Sequence, residues 1–145
     1  MKISTKGEYG IRAMLELTAR YGQGYVQSTD IASARDIPAN YLYQLLITLR
    51  KAGVVRSRRG PQGGHMLARP PADISLAEVV LALEGPLAPT GCSQADVVDD
   101  CPYGERCAVR GIWLRVTDAT QRILKETSFA DLAADERARA QAAGV

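Results

Sequence analysis

Residues 28–68 read STDIASARDIPANYLYQLLITLRKAGVVRSRRGPQGGHMLA, and this stretch indicates the fold of the chain. A short helix starts near Ser28 and stops before Asp36. A longer helix follows, opened by Pro38 and ended by Gly53. A short helix, a tight turn and a longer helix make up the helix-turn-helix pattern, so we expect that motif here.

The second half of the stretch predicts a β-hairpin. Residues 54–58 alternate as a short strand, residues 60–64 form a glycine-rich turn, and residues 66–68 return as a second strand. Three arginines lie on the hairpin or beside its tip: Arg56, Arg58 and Arg59. We interpret the hairpin as the wing of a winged helix-turn-helix domain.

The longer helix has two different faces. One is an apolar stripe of Leu42, Leu45, Leu46 and Leu49; the other carries Asn40, Gln44, Ile47, Thr48 and Lys51, flanked by Tyr41 and Tyr43. A polar face is most simply a solvated surface. Beside an arginine-rich hairpin it favours DNA, because polar helix side chains reach base edges in the major groove and hairpin arginines enter the minor groove.

The predicted DNA-binding residues are Asn40, Tyr41, Tyr43, Gln44, Thr48, Lys51, Arg56, Arg58, Arg59, Gly60, Gly63 and Gly64. The glycines are included because they let the backbone approach the DNA closely. A nucleotide-phosphate loop is a weaker interpretation of residues 60–64, since no Lys-Ser/Thr pair follows and no helix begins there.

Charge is unevenly distributed along the chain. The net charge is only +2, yet residues 1–70 hold eleven Lys and Arg against four acidic residues, and the remainder holds seven against twelve. A basic N-terminal half indicates a polyanionic partner. With 145 residues and 46% apolar composition, the chain has enough material for one sizeable core or a small domain with an appendage.

The chain shows no sign of export. Residues 1–9 carry Lys2, Lys6 and Glu8 without the apolar core of a signal peptide. No run approaches the roughly 18 to 20 apolar residues of a membrane span. An odd number of cysteines without secretion indicates a reducing compartment. We therefore expect a cytoplasmic protein with no membrane partner.

Capping signals mark the remaining helices. Thr5 and Glu8 fit a capping box that opens a first helix, and Ser75 and Glu78 fit another that opens a connecting helix. The predicted organisation is a winged helix-turn-helix domain over residues 1–70, a connecting helix within 71–90, a cysteine loop over 91–108, a dimerisation helix and its cap over 105–132, and a frayed tail over 133–145. The expected fold class is mainly α with a small β-hairpin.

The longest helix is predicted over about Glu105 to Glu126, a length of roughly 33 Å. Its apolar positions follow a near-heptad pattern: Val109, Ile112, Trp113, Val116, Thr120 and Ile123. So long a helix in so small a protein leaves this stripe uncovered, which favours a homodimer. The alternative is a helix that packs only within its own chain.

All three cysteines, Cys92, Cys101 and Cys107, lie in one irregular, proline- and glycine-interrupted segment. Inert core cysteines usually occupy apolar periodic positions, and a zinc site usually brings paired thiols with a fourth ligand nearby. An iron–sulfur cluster instead tolerates a non-cysteine ligand at one iron, so three thiolates suffice with a ligand from elsewhere. A metal-free switch in which Cys101 and Cys107 form a disulfide, with Arg106 lowering a thiol pKa, stays open.

Several motifs together resemble the IscR/NsrR/CymR family of bacterial winged-helix transcription regulators. They are the opening MKISTKG (residues 1–7), YLYQL (41–45), LRKAGVV (49–55), RGPQGG (59–64) and LEGP (83–86), with the cysteine segment and the tryptophan-bearing helix, and they cover residues 1 to about 132. The resemblance implies a homodimer on a palindromic operator. It also implies an iron–sulfur cluster, [2Fe-2S] or [4Fe-4S], that reports iron, redox or nitric oxide status.

The resemblance also bears on the fourth cluster ligand. The position where some members carry a histidine is Arg110 here. Other members take an acidic ligand near the start of helix one of the partner subunit, a position that Glu8 occupies. The predicted ligands are thus Cys92, Cys101, Cys107 and Glu8. The competing interpretation makes Glu8 a capping residue spaced to pair with Arg12.

Catalysis is not expected. No pair of nucleophile and base is visible, and the one histidine, His65, lies at the wing, where we expect a structural or DNA-facing role.

Overall fold

The computed structural model describes residues 1–94 and 101–145. In these residues the chain forms six α-helices and one antiparallel hairpin: α1 (Thr5–Ala19), α2 (Ser28–Arg35), α3 (Ala39–Lys51), β1 (Val55–Arg58), β2 (Gly64–Leu67), α4 (Leu76–Glu84), α5 (Arg110–Glu126) and α6 (Phe129–Ala142). The predicted fold class, mainly α with a small hairpin, is confirmed. None of the described helices combines the length and the apolar character needed to cross a bilayer.

The helix-turn-helix forms where the sequence predicts it. Asp36 ends α2 in the left-handed conformation, at φ 50°, and Ile37 points its side chain into the core. Pro38 then caps the start of α3. The predicted apolar stripe of α3 is buried throughout: Leu42, Leu45, Leu46 and Leu49. The side chains opposite this stripe consequently face outward.

The wing is a two-stranded ribbon held by a third segment of chain. Val55 pairs with Leu67 and Arg58 pairs with Gly64. The main chain of Val26, just before α2, forms a β-bridge with His65, with both N–H···O=C distances at 2.8 Å. The wing is therefore fixed to the helix-turn-helix by backbone hydrogen bonds as well as by its connection to α3.

Helix α1 begins differently from the prediction. Its N-cap is Ser4, whose hydroxyl accepts from the main-chain N–H of Gly7, so the predicted Thr5–Glu8 capping box was wrong. The carboxylate that completes the cap belongs to Glu84 at the end of α4; its Oε1 accepts from the main-chain N–H and the hydroxyl of Ser4, each at 2.7 Å. The physical reason is packing, because α1 crosses α4 closely enough for a distant glutamate to replace the local one.

Close packing of α1 on α4 depends on two glycines. A Cβ on Gly7 would overlap the carboxylate of Glu84, and a Cβ on Gly10 would overlap the side chain of Leu83. Both glycines are buried in α1. The absence of side chains therefore lets the last turn of α4 lie directly on the first turns of α1.

The C-terminal segment is a helix, and the prediction that residues 133–145 fray was wrong. Helix α6 runs to Ala142 and buries Phe129 and Ala133 in the core. Glu136 also pairs with Arg35 of α2, a contact between residues far apart in sequence. These tertiary contacts add to the helix propensity of an alanine- and arginine-rich segment and hold it against the core.

Helix α5 is shorter than predicted. It begins at Arg110 rather than near Glu105 and has 17 residues, which corresponds to about 25 Å. Residues Gly104–Arg106 form a separate 3₁₀ turn, and Cys107 follows it in an extended conformation at ψ 114°. The extended residue breaks the helical path, so the third cysteine lies outside the helix.

Candidate DNA-binding surface and cysteine segment

The outward face of α3 presents the predicted base-reading side chains to solvent. Its exposed members are Asn40, Tyr41, Tyr43, Gln44 and Lys51. Thr48 is half-buried, and its hydroxyl donates to the main-chain carbonyl of Gln44 at 3.2 Å. Tyr41 packs edge-on against Tyr9 of α1, with ring centroids 5.6 Å apart. This face has the side chains and the exposure that base reading requires, and contact with DNA stays a prediction.

The arginines of the wing are exposed, and one is restrained. Arg56, Arg58 and Arg59 are all accessible to solvent. The guanidinium of Arg58 lies over the ring of Tyr25, 5.7 Å from its centroid, which is a cation–π contact. The wing thus presents three positive charges beside α3.

A glutamine that the sequence interpretation missed holds the hairpin tip. The side-chain amide of Gln27 donates to the main-chain carbonyl of Gly63 at 2.8 Å and of Pro61 at 3.4 Å. Gln27 immediately precedes α2, so this contact links the helix-turn-helix to the turn of the wing. No local sequence pattern predicts it, because the partners are 34 and 36 residues away.

The three glycines predicted to approach DNA have different surroundings. Gly60 is exposed, and a Cβ there meets open space. A Cβ on Gly63 would overlap the main-chain carbonyl of Arg58, and one on Gly64 would overlap that of Val26. Gly63 and Gly64 are therefore required by the packing of the hairpin itself, which explains them without DNA.

A notch of 390 Å³ separates α3 from the wing. Arg50 of α3 lines one side, and Ser57, Arg58, Arg59 and His65 line the hairpin side. The Nδ1 atom of His65 and the hydroxyl of Ser57 form a hydrogen bond at 2.8 Å. Burial, together with the nearby positive charge of Arg50, lowers the pKa of His65 below its usual 6.5. Arg50 and Ser57 were absent from the predicted site, since the pattern of α3 did not indicate which side chains face the wing.

The three cysteines are present as thiols in short turns between α4 and α5. Cys92 lies in a 3₁₀ turn, Gly91–Ser93, with its Sγ 3.1 Å from the hydroxyl of Thr90. Cys92 and Cys107 are half-buried, and Cys101 is exposed. Residues 95–100 fall outside the described part of the chain, including the acidic part of the segment.

The donor set of this segment suits an iron–sulfur cluster, because thiolates are its usual ligands. The arrangement is not preassembled: in residues 1–94 and 101–145, no three Cys, His, Asp or Glu side chains are grouped closely enough to hold a metal ion. Binding a cluster would thus require the cysteines to move together. The chemistry of the residues fits, and their spacing in this state does not.

Glu8 lies on the first turn of α1 with an exposed side chain. Ser4 caps the helix instead, and the guanidinium of Arg12 lies over the ring of Tyr9, 5.3 Å from its centroid, rather than against Glu8. Among the described residues the Glu8 carboxylate has no hydrogen-bond or ion-pair partner. The alternative that Glu8 caps α1 and pairs with Arg12 was wrong, and its role as a cluster ligand stays a prediction.

Helix α5 packs on its own chain against α4 and the 3₁₀ turn Gly91–Ser93. Thr117 is buried on that side. On the predicted dimerisation stripe, Val109, Ile112 and Ile123 are 51%, 48% and 64% exposed. The other members, Trp113, Val116 and Thr120, are half-buried. The stripe is thus largely uncovered in a single chain, as a dimer interface requires, and the homodimer stays a prediction.

Comparison with known proteins gives a consistent set of relatives. A model of the Rrf2 family, described as iron-dependent transcriptional regulators, matches residues 3–135. The chain is 39% identical to the HTH-type transcriptional regulator CymR of Bacillus subtilis (strain 168), over 92% of this chain and 90% of that protein. The relatives are named as transcriptional regulators, which are not enzymes, and the expectation of no catalysis is confirmed on that ground.

Solved structures agree with the sequence relatives. The structure of CymR, described as the global cysteine regulator of B. subtilis, matches with a TM-score of 0.76 and 37% identity, covering 92% of this chain and 97% of that one. The structure of T. potens IscR matches with a TM-score of 0.74 and 35% identity, covering 94% of this chain and 88% of that one. The structure of the oxidized form of Staphylococcus aureus CymR matches with a TM-score of 0.71 and 35% identity, covering 92% of this chain and 96% of that one. The predicted resemblance and the predicted winged-helix fold are both confirmed.

Proposed function

Because the chain belongs to the Rrf2 family of transcriptional regulators, we propose that it binds operator DNA as a homodimer and responds to its signal through an iron–sulfur cluster. One observation carries this proposal. The cysteine segment connects α4, whose last residue holds the start of α1, to α5, whose apolar stripe is exposed. Any rearrangement of the segment therefore acts on the DNA-binding domain and on the dimer helix together.

The DNA-binding domain would use α3 to recognise the base sequence and the wing to fix the position of the domain on the DNA. Gln44 and Asn40 have side chains suited to base edges in the major groove, while Arg58 and Arg59 suit the minor groove and its phosphates. Two domains related by a two-fold axis match a palindromic operator, with half-sites separated by about one helical turn, roughly 34 Å. A protein that binds operator DNA would act in the cytoplasm, which is the location we propose.

The dimer would form through the exposed stripe of α5. Val109, Ile112, Val116, Thr120 and Ile123 recur at three- and four-residue intervals, the spacing with which two helices pack. A two-fold dimer uses the same patch on both subunits, so an apolar stripe along one helix is sufficient. The stripe begins at Val109, two residues after Cys107, so the cysteine segment ends where the dimer helix starts.

The cluster, [2Fe-2S] or [4Fe-4S], would be held by Cys92, Cys101 and Cys107, with Glu8 of the partner subunit as the fourth ligand. When bound, it supplies iron–thiolate bonds that iron loss, oxidation or nitric oxide breaks. The chain itself would supply the three thiols: Cys92 lies beside the hydroxyl of Thr90, and Cys107 lies between the 3₁₀ turn Gly104–Arg106 and the start of α5. Closing the segment would shift α4 relative to α5 and, through Glu84, shift α1.

Anaerobic purification tests the cluster directly. Iron and sulfide analysis and visible absorption should report a cluster in the wild type and its loss in Cys92→Ala. Glu8→Gln keeps the size of the side chain but removes its anionic oxygen, so it should alter the cluster spectrum or speed cluster loss while folding is unchanged. A colourless, iron-free protein that still regulates DNA binding would exclude the cluster.

A metal-free thiol switch is the second candidate, and two observations favour it. The described residues contain no assembled group of three metal ligands, and one matched relative is described as a global cysteine regulator. Disulfide formation between Cys101 and Cys107 would then be the signal. Alkylation mapping after mild oxidation separates the candidates: a cluster protein releases iron before the disulfide appears, whereas a thiol switch forms the disulfide with no iron to release.

A further inference from the structure

The notch between α3 and the wing lies where the two DNA-contacting elements meet. If α3 enters the major groove and the wing reaches the minor groove, one sugar-phosphate strand has to pass between them, because that strand separates the two grooves. The notch is the space available for this strand. This step rests on the DNA-binding function proposed above.

The lining of the notch suits an anion. Three arginines line it, Arg50 from α3 and Arg58 and Arg59 from the wing, together with the apolar side chains of Leu46 and Ile47. No carboxylate lines it in the part of the chain that the structure describes. Three like charges around one concave space repel each other unless an anion lies among them, so the field favours a phosphate.

His65 completes the notch with a donor whose direction is fixed. Its main chain is held in β2 and bridged to Val26, and its Nδ1 is engaged by the hydroxyl of Ser57. With Nδ1 engaged, the tautomer in which Ser57 donates carries the ring proton on Nε2. In that neutral tautomer Nε2 is a donor, and it is also a donor in the protonated ring.

We propose that this notch is a seat for one phosphate group of the DNA backbone, with Arg50 and Nε2 of His65 donating hydrogen bonds to its oxygens. Phosphate oxygens only accept, and the guanidinium and imidazole groups here donate. The seat reads no base. It fixes the distance between α3 in one groove and the wing in the next.

A pH dependence of DNA binding follows from this geometry. His65 is the only histidine among the 145 residues, so no other imidazole titrates between pH 5.5 and 7. The groups that face it are Arg50 and Tyr43 from α3, Ser57, Arg58 and Arg59 from the hairpin, and the main chain of Val26. Arg50 and burial favour the neutral ring in the free protein. A seated phosphate offsets Arg50 and favours the proton, so binding takes up a proton and affinity increases as pH falls.

The probe for the test is a fluorescein-labelled duplex selected from a random library by the wild-type protein. Fluorescence anisotropy measures its affinity against salt from pH 5.5 to 8. Arg50→Gln should reduce the slope of log affinity against log salt by about 0.9, the equivalent of one phosphate. His65→Gln should abolish the gain in wild-type affinity below pH 7, a gain of at most about tenfold for each unit by which DNA raises the pKa.

Control variants separate the seat from folding. Arg137→Gln removes an exposed arginine of α6, away from the notch, and should leave the salt slope unchanged. His65→Phe keeps an aromatic ring but cannot be charged, so it should show the same flat pH profile as His65→Gln. Proton NMR of the single histidine should report a higher pKa in free Arg50→Gln than in free wild type.

The outcomes distinguish the two proposals. If the wild type selects no duplex, the DNA-binding function fails and the seat fails with it. If it selects a duplex, but Arg50→Gln keeps the wild-type salt slope and both His65 variants keep the wild-type pH profile, only the seat is wrong.

Discussion

Removing the carboxylate of Glu84 should destabilise the fold, although Glu84 is the last residue of α4 and lies 80 residues from its partner. Its Oε1 accepts two hydrogen bonds from Ser4, one from the main chain and one from the hydroxyl. Together these contacts complete the N-terminus of α1, where a negative charge also interacts favourably with the helix dipole. In Glu84→Ala, water is the remaining partner for the main-chain N–H of Ser4 at the start of α1.

The expected loss follows from the type of contact. A hydrogen bond to a charged group contributes about 1.5 to 3 kcal/mol, and loss of an N-cap costs about 1 kcal/mol. Ser4 is exposed, so water replaces part of both contacts, and we expect Glu84→Ala to cost about 1 to 2 kcal/mol. For a chain of 145 residues this corresponds to a fall in Tm of about 2 to 8 °C.

Urea unfolding of a double-mutant cycle measures this contact. Ser4→Ala and Glu84→Ala both remove the hydrogen bond from the Ser4 hydroxyl, whereas the bond from the Ser4 main chain is lost only in Glu84→Ala. The double variant should therefore cost less than the sum of the single variants by about 0.5 to 1 kcal/mol. Glu84→Gln keeps an acceptor but removes the charge, and its loss should be intermediate. Additive losses, or a Glu84→Ala protein as stable as wild type, would refute the assignment of Glu84 as the cap of α1.

Two further predictions concern single contacts. Gln27→Ala removes the side-chain amide that holds the hairpin tip, so the affinity for duplex DNA should fall while the Tm stays within about 2 °C of wild type. Limited proteolysis checks the cause, because the tip should be cleaved faster in the variant. A wild-type rate of cleavage at the tip would count against this explanation. Arg35→Gln leaves the buried carboxylate of Glu16 with Arg20 alone and should cost about 1 to 3 kcal/mol in urea unfolding at pH 7. Burial opposes ionisation of Glu16, but hydrogen bonds from Arg35 and Arg20 outweigh it and hold its pKa below the usual 4.5. The stability that this lowered pKa contributes is present above pH 4.5 and is lost as pH falls through the folded-state pKa of Glu16. Acidification from pH 7 to 3 should therefore reduce the free energy of unfolding less in Arg35→Gln than in wild type. Equal reductions in the two proteins would contradict the prediction.

The sequence predicts those features that depend on neighbours along the chain. The stripe of α3 repeats at helical intervals, so its burial could be predicted without any knowledge of what covers it. Pro38 sets the start of α3 because its ring fixes φ, and Gly53 sets the end because glycine permits a positive φ. The predicted capping box of Ser75 and Glu78 is confirmed and is likewise local, since it joins residues three apart. The exposed polar face of α3 and the arginine-rich wing follow from the same periodicities.

Tertiary structure decided the features whose partners are distant in sequence. Glu84 replaced the predicted local cap of α1, and Arg35 of α2 forms an ion pair with Glu136 of the C-terminal helix. The notch between α3 and the wing brings Arg50 of α3 and His65 of the wing to one lining, a combination that neither element's own pattern contains. Hydrophobic periodicity specifies which face of a helix is buried but not the angle at which two helices cross. That angle is set by glycine-mediated packing of α1 on α4 and by the whole core, and it alone determines which charged side chains meet.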